Sequence, residues 1–327
     1  MTIGKRIMTG VAIAAAVLVA GATAHAQSYP TRPITVIIPF AGGSASDVVS
    51  RIMFNKMSQS LGQPIVVENK PGAGGNSGTQ LAAKAAPDGY TLVGAGSGPI
   101  AANLALYKNL GYDPLKELAI VSPFASFTIV VTASNKLGIK TVKELIERAK
   151  KEPGALNYGS VGIGSSQHLA GEYFAQVTGV KMTHVPYRNI GQYGPDLIAG
   201  TVQLGFQWYP NVAGPINANG ASALAVAGDV RLAAVPDAPT TTEAGLPQYK
   251  VDGWFALAAP AGVPAPIMER LNKELNAALN DPAVKSGFEK AGAVPIGRGL
   301  EASRKFHADE IVKYRDIITK AGIAQIE

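Results

Sequence analysis

From residue 34 to about residue 226, short runs of β-branched and apolar residues alternate with stretches of helical periodicity, and this alternation restricts the chain more than any other feature. ITVII at 34–38 gives way to a helical stretch over 47–61, then PIVVE at 64–68, a helix near 78–86 and a strand near 91–93. A strand followed by a helix has crossed back before it meets the next strand, so the pattern predicts parallel βα units and an α/β fold. Further strands are predicted at 118–121, 127–132, 156–158, 182–185, 202–206 and 223–226, with helices at 141–151 and 166–178. The first of those helices opens on Thr141-Val-Lys-Glu144, a capping box. Residues 229–247, rich in Pro, Thr and Ala, read as a crossing loop, and after a strand at 254–258 the pattern turns helical at 264–280, 282–291 and 300–321. No internal repeat is present.

A length of 327 residues suggests about two domains, each able to bury a core. The 29 Lys and Arg exceed the 23 Asp and Glu, yet no basic run is longer than two, so nucleic acid is not an expected partner. Lys5 and Arg6 precede an apolar, Ala-rich stretch to about Ala24, and Ala24-His25-Ala26 has small residues where a signal peptidase reads. Residues 1–26 are therefore expected to be a cleaved export signal, which places the mature protein in the periplasm. The alternative, an uncleaved anchor, is disfavoured by an apolar core short of the roughly 20 residues a span needs. With no Cys, disulfides, thiolate zinc sites and Cys nucleophiles are excluded together.

Three Gly-rich turns carry the functional information. Ala41-Gly-Gly-Ser-Ala-Ser-Asp47 follows a strand and opens a helix, a geometry that aims backbone N–H groups at one point and receives anions. Tyr158-Gly-Ser-Val-Gly-Ile-Gly-Ser-Ser-Gln-His168 repeats this logic, with Ser165 or Ser166 as N-cap and His168 in the first helical turn as a candidate donor to the ligand. The third turn, Asn69-Lys-Pro-Gly-Ala-Gly-Gly-Asn76, reads equally as a ligand loop or as a long turn capped by Asn76. Nucleotide fingerprints fail: Ser77 and Gln167 stand where the third Gly of a dinucleotide loop belongs, and no P-loop occurs. No cofactor and no metal are expected. With no nucleophile elbow and no His pair at metal spacing, catalysis is not expected, although a Ser-His arrangement using Ser44 or Ser165 with His168 remains open. His307, in the last helix, is expected to be solvated.

The succession ITVIIPFAGGSASDVVSR (34–51), VVENKPGAGGNSG (66–78), APDGYTL (86–92), LNYGSVGIGSSQHLAGEYF (156–174), VPYR (185–188), DLIAGTVQLGF (196–206), VPDAPTTTEAGLP (235–247) and WFALAAPAGVP (254–264) strongly resembles the Bug, or TctC-like, family. These are periplasmic solute-binding proteins of tripartite tricarboxylate transporters. The resemblance implies a type II periplasmic-binding-protein fold, two α/β lobes with a ligand cleft between them, here 27–125 with 251–327 as lobe one and 126–250 as lobe two. It implies a small-molecule carboxylate held by Phe40, Gly43, Ser44, Ser46 and Asp47 in the first loop and by Gly164, Ser165, Ser166 and His168 in the second. It also implies membrane subunits of a tripartite transporter as partners, with the chain acting as a monomer.

Two departures bear on the ligand. After VPYR the family usually runs Gly-Gly/Ala-Ala-Pro-Ala-Leu, where this chain has Asn189-Ile-Gly-Gln-Tyr193-Gly194. After the Val-Gln strand the family commonly has Met-Phe-Asp-Asn-Leu, where this chain has Gly205-Phe-Gln-Trp208-Tyr209. Tyr193 and Trp208 are accordingly expected to wall the distal cleft, with Arg188 pairing a second carboxylate, and an aromatic dicarboxylate such as terephthalate is the expected ligand. An aliphatic dicarboxylate or an amino acid, a ligand-presenting sensor lobe, and a secreted hydrolase are the competing readings.

Overall fold

The computed structural model describes residues 29–320 and 322–327, so the expected export signal lies outside the described residues. In chain order the strands are β1 (Ile34–Ile38), β2 (Ile65–Asn69), β3 (Thr91–Gly96), β4 (Leu118–Thr128), β5 (Val130–Ser134), β6 (Asn157–Ser160), β7 (Thr183–Pro186), β8 (Leu204–Gln207), β9 (Ala221–Val226), β10 (Asp252–Pro260) and β11 (Ala293–Pro295). The helices are α1 (Ala45–Leu61), α2 (Asn76–Ala83), α3 (Asn103–Leu106), α4 (Val142–Lys151), α5 (Ser166–Thr178), α6 (Tyr193–Ala199), α7 (Tyr209–Asn217), α8 (Ala265–Leu279), α9 (Pro282–Lys290) and α10 (Leu300–Lys320).

The strands form two sheets, one ordered β11-β4-β10-β3-β1-β2 and the other β7-β6-β8-β5-β9. In each, a parallel trio continues into antiparallel strands: β1 pairs β2 and β3 in parallel, and β6 pairs β7 and β8 in parallel. β1 has four of its five residues buried, as a strand covered on both faces requires. α1 lays Val49, Met53, Phe54, Met57 and Leu61 against this sheet. It ends where Gly62 adopts φ 71° and returns its N–H to the Ser58 carbonyl, a left-handed cap that glycine enters at little cost.

The chain crosses between the sheets at Ile129 and returns along 227–251. The two crossings touch: the Ala227 N–H donates to the Ile129 carbonyl (2.8 Å), and the Ile129 N–H to that of Val251 (3.4 Å). The expected boundary at 125/126 is thus displaced, because β4 stays paired with β10 down to Thr128 opposite Asp252. Two short strands were predicted, at 118–121 and 127–132, where one strand runs from Leu118 to Thr128. Pro123 pairs opposite Ala256 at a register shift, a bulge that tolerates its missing N–H. α6 and α7 lie where the sequence pattern assigned no element: α7 holds Pro210 in its first turn and Pro215 inside, residues whose local chemistry argues against a helix.

A chain of rings links the lobes through the crossing. Phe124 stacks on Phe255 (6.3 Å between centroids), Phe127 stacks on Trp208 (5.0 Å), and Trp208 meets Phe255 edge-on (4.8 Å).

Candidate functional site

All three Gly-rich turns connect the carboxyl end of a parallel strand to a helix, which is where ligands settle in open α/β sheets. Between the lobes they border a cavity of about 580 Å³. Lobe one contributes Phe40 and Ser44 from the first turn, Pro71 to Gly74 and Ser77 from the third, and Tyr107 and Ile326; lobe two contributes Val161 to Ile163, Pro186 to Arg188, and Ile190.

The first turn is held by its own residues. Ser44 caps α1 by accepting the Asp47 N–H (3.4 Å), and Asp47 accepts the Gly43 N–H (2.9 Å), Arg51 Nε (2.9 Å) and Asn69 Nδ2 (2.9 Å). Burial pushes the Asp47 carboxyl up, but the bonds from Arg51, the Gly43 N–H and Asn69 outweigh it and leave it below the usual carboxylate range. The second turn is built alike. Ser165 caps α5 by accepting the His168 N–H (3.3 Å), and His168 Nδ1 accepts the Gly164 N–H (3.2 Å). His168 therefore carries its proton on Nε2, which lies 4.0 Å from Glu172. Behind it the His184 ring sits 4.2 Å away, centroid to centroid, with Nε2 2.7 Å from Ser160 Oγ. Burial holds His168 below the ordinary histidine range against the pull of Glu172, and burial together with His168 pushes His184 down to about 3.

The lobes touch across the cavity floor. A Cβ on Gly74 would stand 1.9 Å from the Ile163 carbonyl oxygen, and one on Gly98 would stand 2.5 Å from that of Gly164, so both positions require glycine for the approach. Ser97 Oγ meets Ser166 Oγ at 2.8 Å, the Ala45 N–H donates to Asn211 Oδ1 (2.9 Å), and the Tyr107 hydroxyl donates to the Ile163 carbonyl (3.0 Å). Beside the cavity is a chamber of about 10 Å³ bordered by Ser44, Ser46, Gln167 and Trp208. Both amide atoms of Gln167 and the Trp208 indole Nε1 are buried there without a protein partner.

Of the predicted site residues, Phe40, Ser44 and Arg188 border the main cavity, and Ser46 and Trp208 border only the small chamber. Four expectations need correction. Tyr193 is fully buried in lobe two, its ring against Gly159 and Gly205 and its hydroxyl donating to the Leu204 carbonyl (3.3 Å), so it is core and not wall. Trp208 is 3% exposed and sandwiched by Phe127 and Phe255, because it packs the junction between the lobes. Gly43, Asp47, Gly164, Ser165, Ser166 and His168 brace the two turns or the lobe contact and do not border the cavity; Ser165 donates inward to the Gly162 carbonyl (2.6 Å). His307 is buried, its Nε2 against the Ile100 carbonyl, because α10 packs that face on residues 98–106.

The third turn was undervalued. Its helix is not capped by Asn76, whose Oδ1 accepts Asn103 Nδ2 (2.6 Å), and its residues 71–74 border the cavity between the lobes. Its glycine content signalled it; Tyr107 and Ile326 carried no local signal at all.

Residues 49–323 match the family described as "Tripartite tricarboxylate transporter family receptor", TctC. The chain belongs to this family. It is similar to protein BugT of Bordetella pertussis, 35% identical over 318 residues that cover 97% of this chain and 98% of the relative. Among solved structures it resembles the periplasmic binding protein BugD (TM-score 0.86, 31% identity, 91% of this chain and 100% of that one). It also resembles R. palustris Rpa4515 with adipate (0.87, 32%, 91% and 100%) and MatC of Rhodopseudomonas palustris with bound malate (0.83, 31%, 89% and 100%). The protein is a periplasmic solute-binding receptor of the Bug/TctC type with the expected two-lobed α/β fold, and not an enzyme. Among the described residues no cluster of His, Asp and Glu is placed to hold a metal, and no helix is long and apolar enough to cross a membrane.

Proposed function

We propose that the receptor captures a small dicarboxylate in the cavity between its lobes and delivers it, as a monomer, to the membrane subunits of a tripartite transporter. The observation that carries this reading is that one cavity holds both Ser44, at the N-terminus of α1, and Arg188, a guanidinium with no hydrogen-bond or ion-pair partner among the described residues. One carboxylate accepts a bond from the Ser44 hydroxyl, and the other pairs with Arg188. The cavity is also bordered by Phe40, expected from the sequence, and by Tyr107 and Tyr187, which were not, and these rings favour a flat, apolar middle. Terephthalate is our leading ligand. An aliphatic C4 to C6 diacid is the second reading, favoured by the adipate and malate in the neighbouring structures.

Calorimetric titration with terephthalate, adipate, malate and benzoate tests this. Benzoate, with one carboxylate, should bind at least about tenfold more weakly than terephthalate, and Arg188→Ala should erase that gap. Equal binding of benzoate and terephthalate by the wild type refutes the Arg188 role. Tighter binding of adipate or malate than of terephthalate promotes the second reading. Residues 1–26 are proposed to be removed on export, and the intact mass of the periplasmic protein checks it.

A further inference from the structure

The cavity wall includes one residue from the far end of the chain. Ile326 follows α10 and is brought back to lobe one by a parallel bridge to Tyr107: its N–H donates to the Leu106 carbonyl (2.8 Å), and its carbonyl accepts the Lys108 N–H (2.9 Å). Gln325 Nε2 adds a bond to the Ala105 carbonyl (3.1 Å), Lys108 pairs with the Glu327 side chain, and Ile323 packs on the core beneath α10. Tyr107, the residue bridged to Ile326, is the one whose hydroxyl reaches across the cleft to Ile163.

The segment therefore places a half-buried, β-branched apolar side chain in the ligand wall and ties it to a residue that spans both lobes. The span matched by the receptor family ends at residue 323, so this part of the wall lies outside what the match covers. The turns supply polar groups suited to any carboxylate, whereas Ile326 supplies only shape.

We infer that Ile326 is a size filter, setting how long and bulky a dicarboxylate the closed cleft accepts. This rests on the dicarboxylate reading above. Shortening the side chain lengthens the space available to the ligand's middle and removes apolar contact from ligands that now fit; enlarging it does the reverse.

The test titrates wild type, Ile326→Ala and Ile326→Trp with terephthalate and with 2,6-naphthalenedicarboxylate, and in parallel with adipate and suberate. Ile326→Ala should shift the Kd ratio within each pair by about tenfold toward the longer acid, and Ile326→Trp should shift it toward the shorter one. The ligand-free melting temperature of each variant, expected to match wild type, shows that the wall and not the fold has changed. A ratio that is the same in all three proteins overturns the filter while leaving the dicarboxylate reading standing. A wild type that binds none of the four acids overturns that reading, and the filter with it.

Discussion

The first and second Gly-rich turns are the same device made from different chemistry. In each, a serine caps the helix by accepting the N–H three residues on, and the side chain at that third position accepts the N–H of the glycine before the serine. Those glycines, Gly43 and Gly164, have φ of 77° and 81°. In lobe one the acceptor is the Asp47 carboxylate, neutralised by Arg51; in lobe two it is the neutral ring of His168, buried against a second histidine. Geometry alone is thus common to the turns, and their response to pH and to substitution should differ.

The largest expected contrast comes from removing the acceptors. Asp47→Ala leaves the Gly43 N–H, Arg51 and Asn69 without their shared partner, and we expect about 3 kcal/mol lost in denaturant unfolding, the half-exposed Arg51 keeping the figure at the low end for a broken pair. His168→Ala should cost clearly less, since one N–H bond and packing are lost. Equal costs would mean that Asp47's charge network contributes nothing beyond its hydrogen bond to Gly43.

Acidification separates the turns next. His184 titrates near 3 when folded and near 6.5 when unfolded, and His168 is lowered in the same direction. Below the unfolded value the unfolded chain takes up protons that the native state refuses, so stability is full above about 6.5 and falls as the pH drops toward 3. Asp47, lowered in the native state, adds its loss only below about 4, in the range where unfolded carboxylates titrate. Between pH 7 and 5 about 2 kcal/mol should disappear for one such histidine. Buried His307 adds to the loss with the same sign. Melting curves at the two pH values should show the drop, and His184→Gln should shrink it; an unchanged drop in that variant removes His184 as its source.

The glycines give a smaller contrast. A Cβ at Gly43 meets nothing within 4 Å, while one at Gly164 would lie 2.5 Å from Asn103 Oδ1. Gly43→Ala should cost about 1 kcal/mol from φ alone, and Gly164→Ala about 1 kcal/mol more. Chemical denaturation of both variants measures the gap, and identical costs would show that Asn103 yields freely. Smallest of all, Tyr193→Phe should lose about 0.5 to 1 kcal/mol of stability with no change in Kd for any diacid. A changed Kd would return Tyr193 to the ligand wall.

Much of the site's local chemistry was legible before any coordinates. The N-cap was readable as Ser165 or Ser166, of which Ser165 is the cap, Thr141 and Glu144 as a capping box, and the strand-turn-helix order of all three turns followed from periodicity, because these depend on residues a few positions apart. Tyr193 and Trp208 were misjudged for a definite reason. A large ring near a ligand loop fits a cleft wall and a core equally well, and only the partner surface decides: Gly159 and Gly205 under Tyr193, Phe127 and Phe255 around Trp208. His307 fell to the same ambiguity, since a helix shows its spacing but not which neighbour covers it.

By itself the sequence determined the α/β class, the parallel βα units, the family and the strand-turn-helix order of the Gly-rich turns, since each is written in short-range spacing and in motifs of fixed order. Tertiary structure alone decided which lobe each strand serves and where the chain crosses between them. It also decided which residues reach the cavity, bringing Tyr107 and Ile326 together although they are 219 positions apart in the chain, as are the paired Lys108 and Glu327. The reason is that the wall of a cleft is made by whatever the closed lobes bring together, and contact at such separation leaves no periodic trace in the chain.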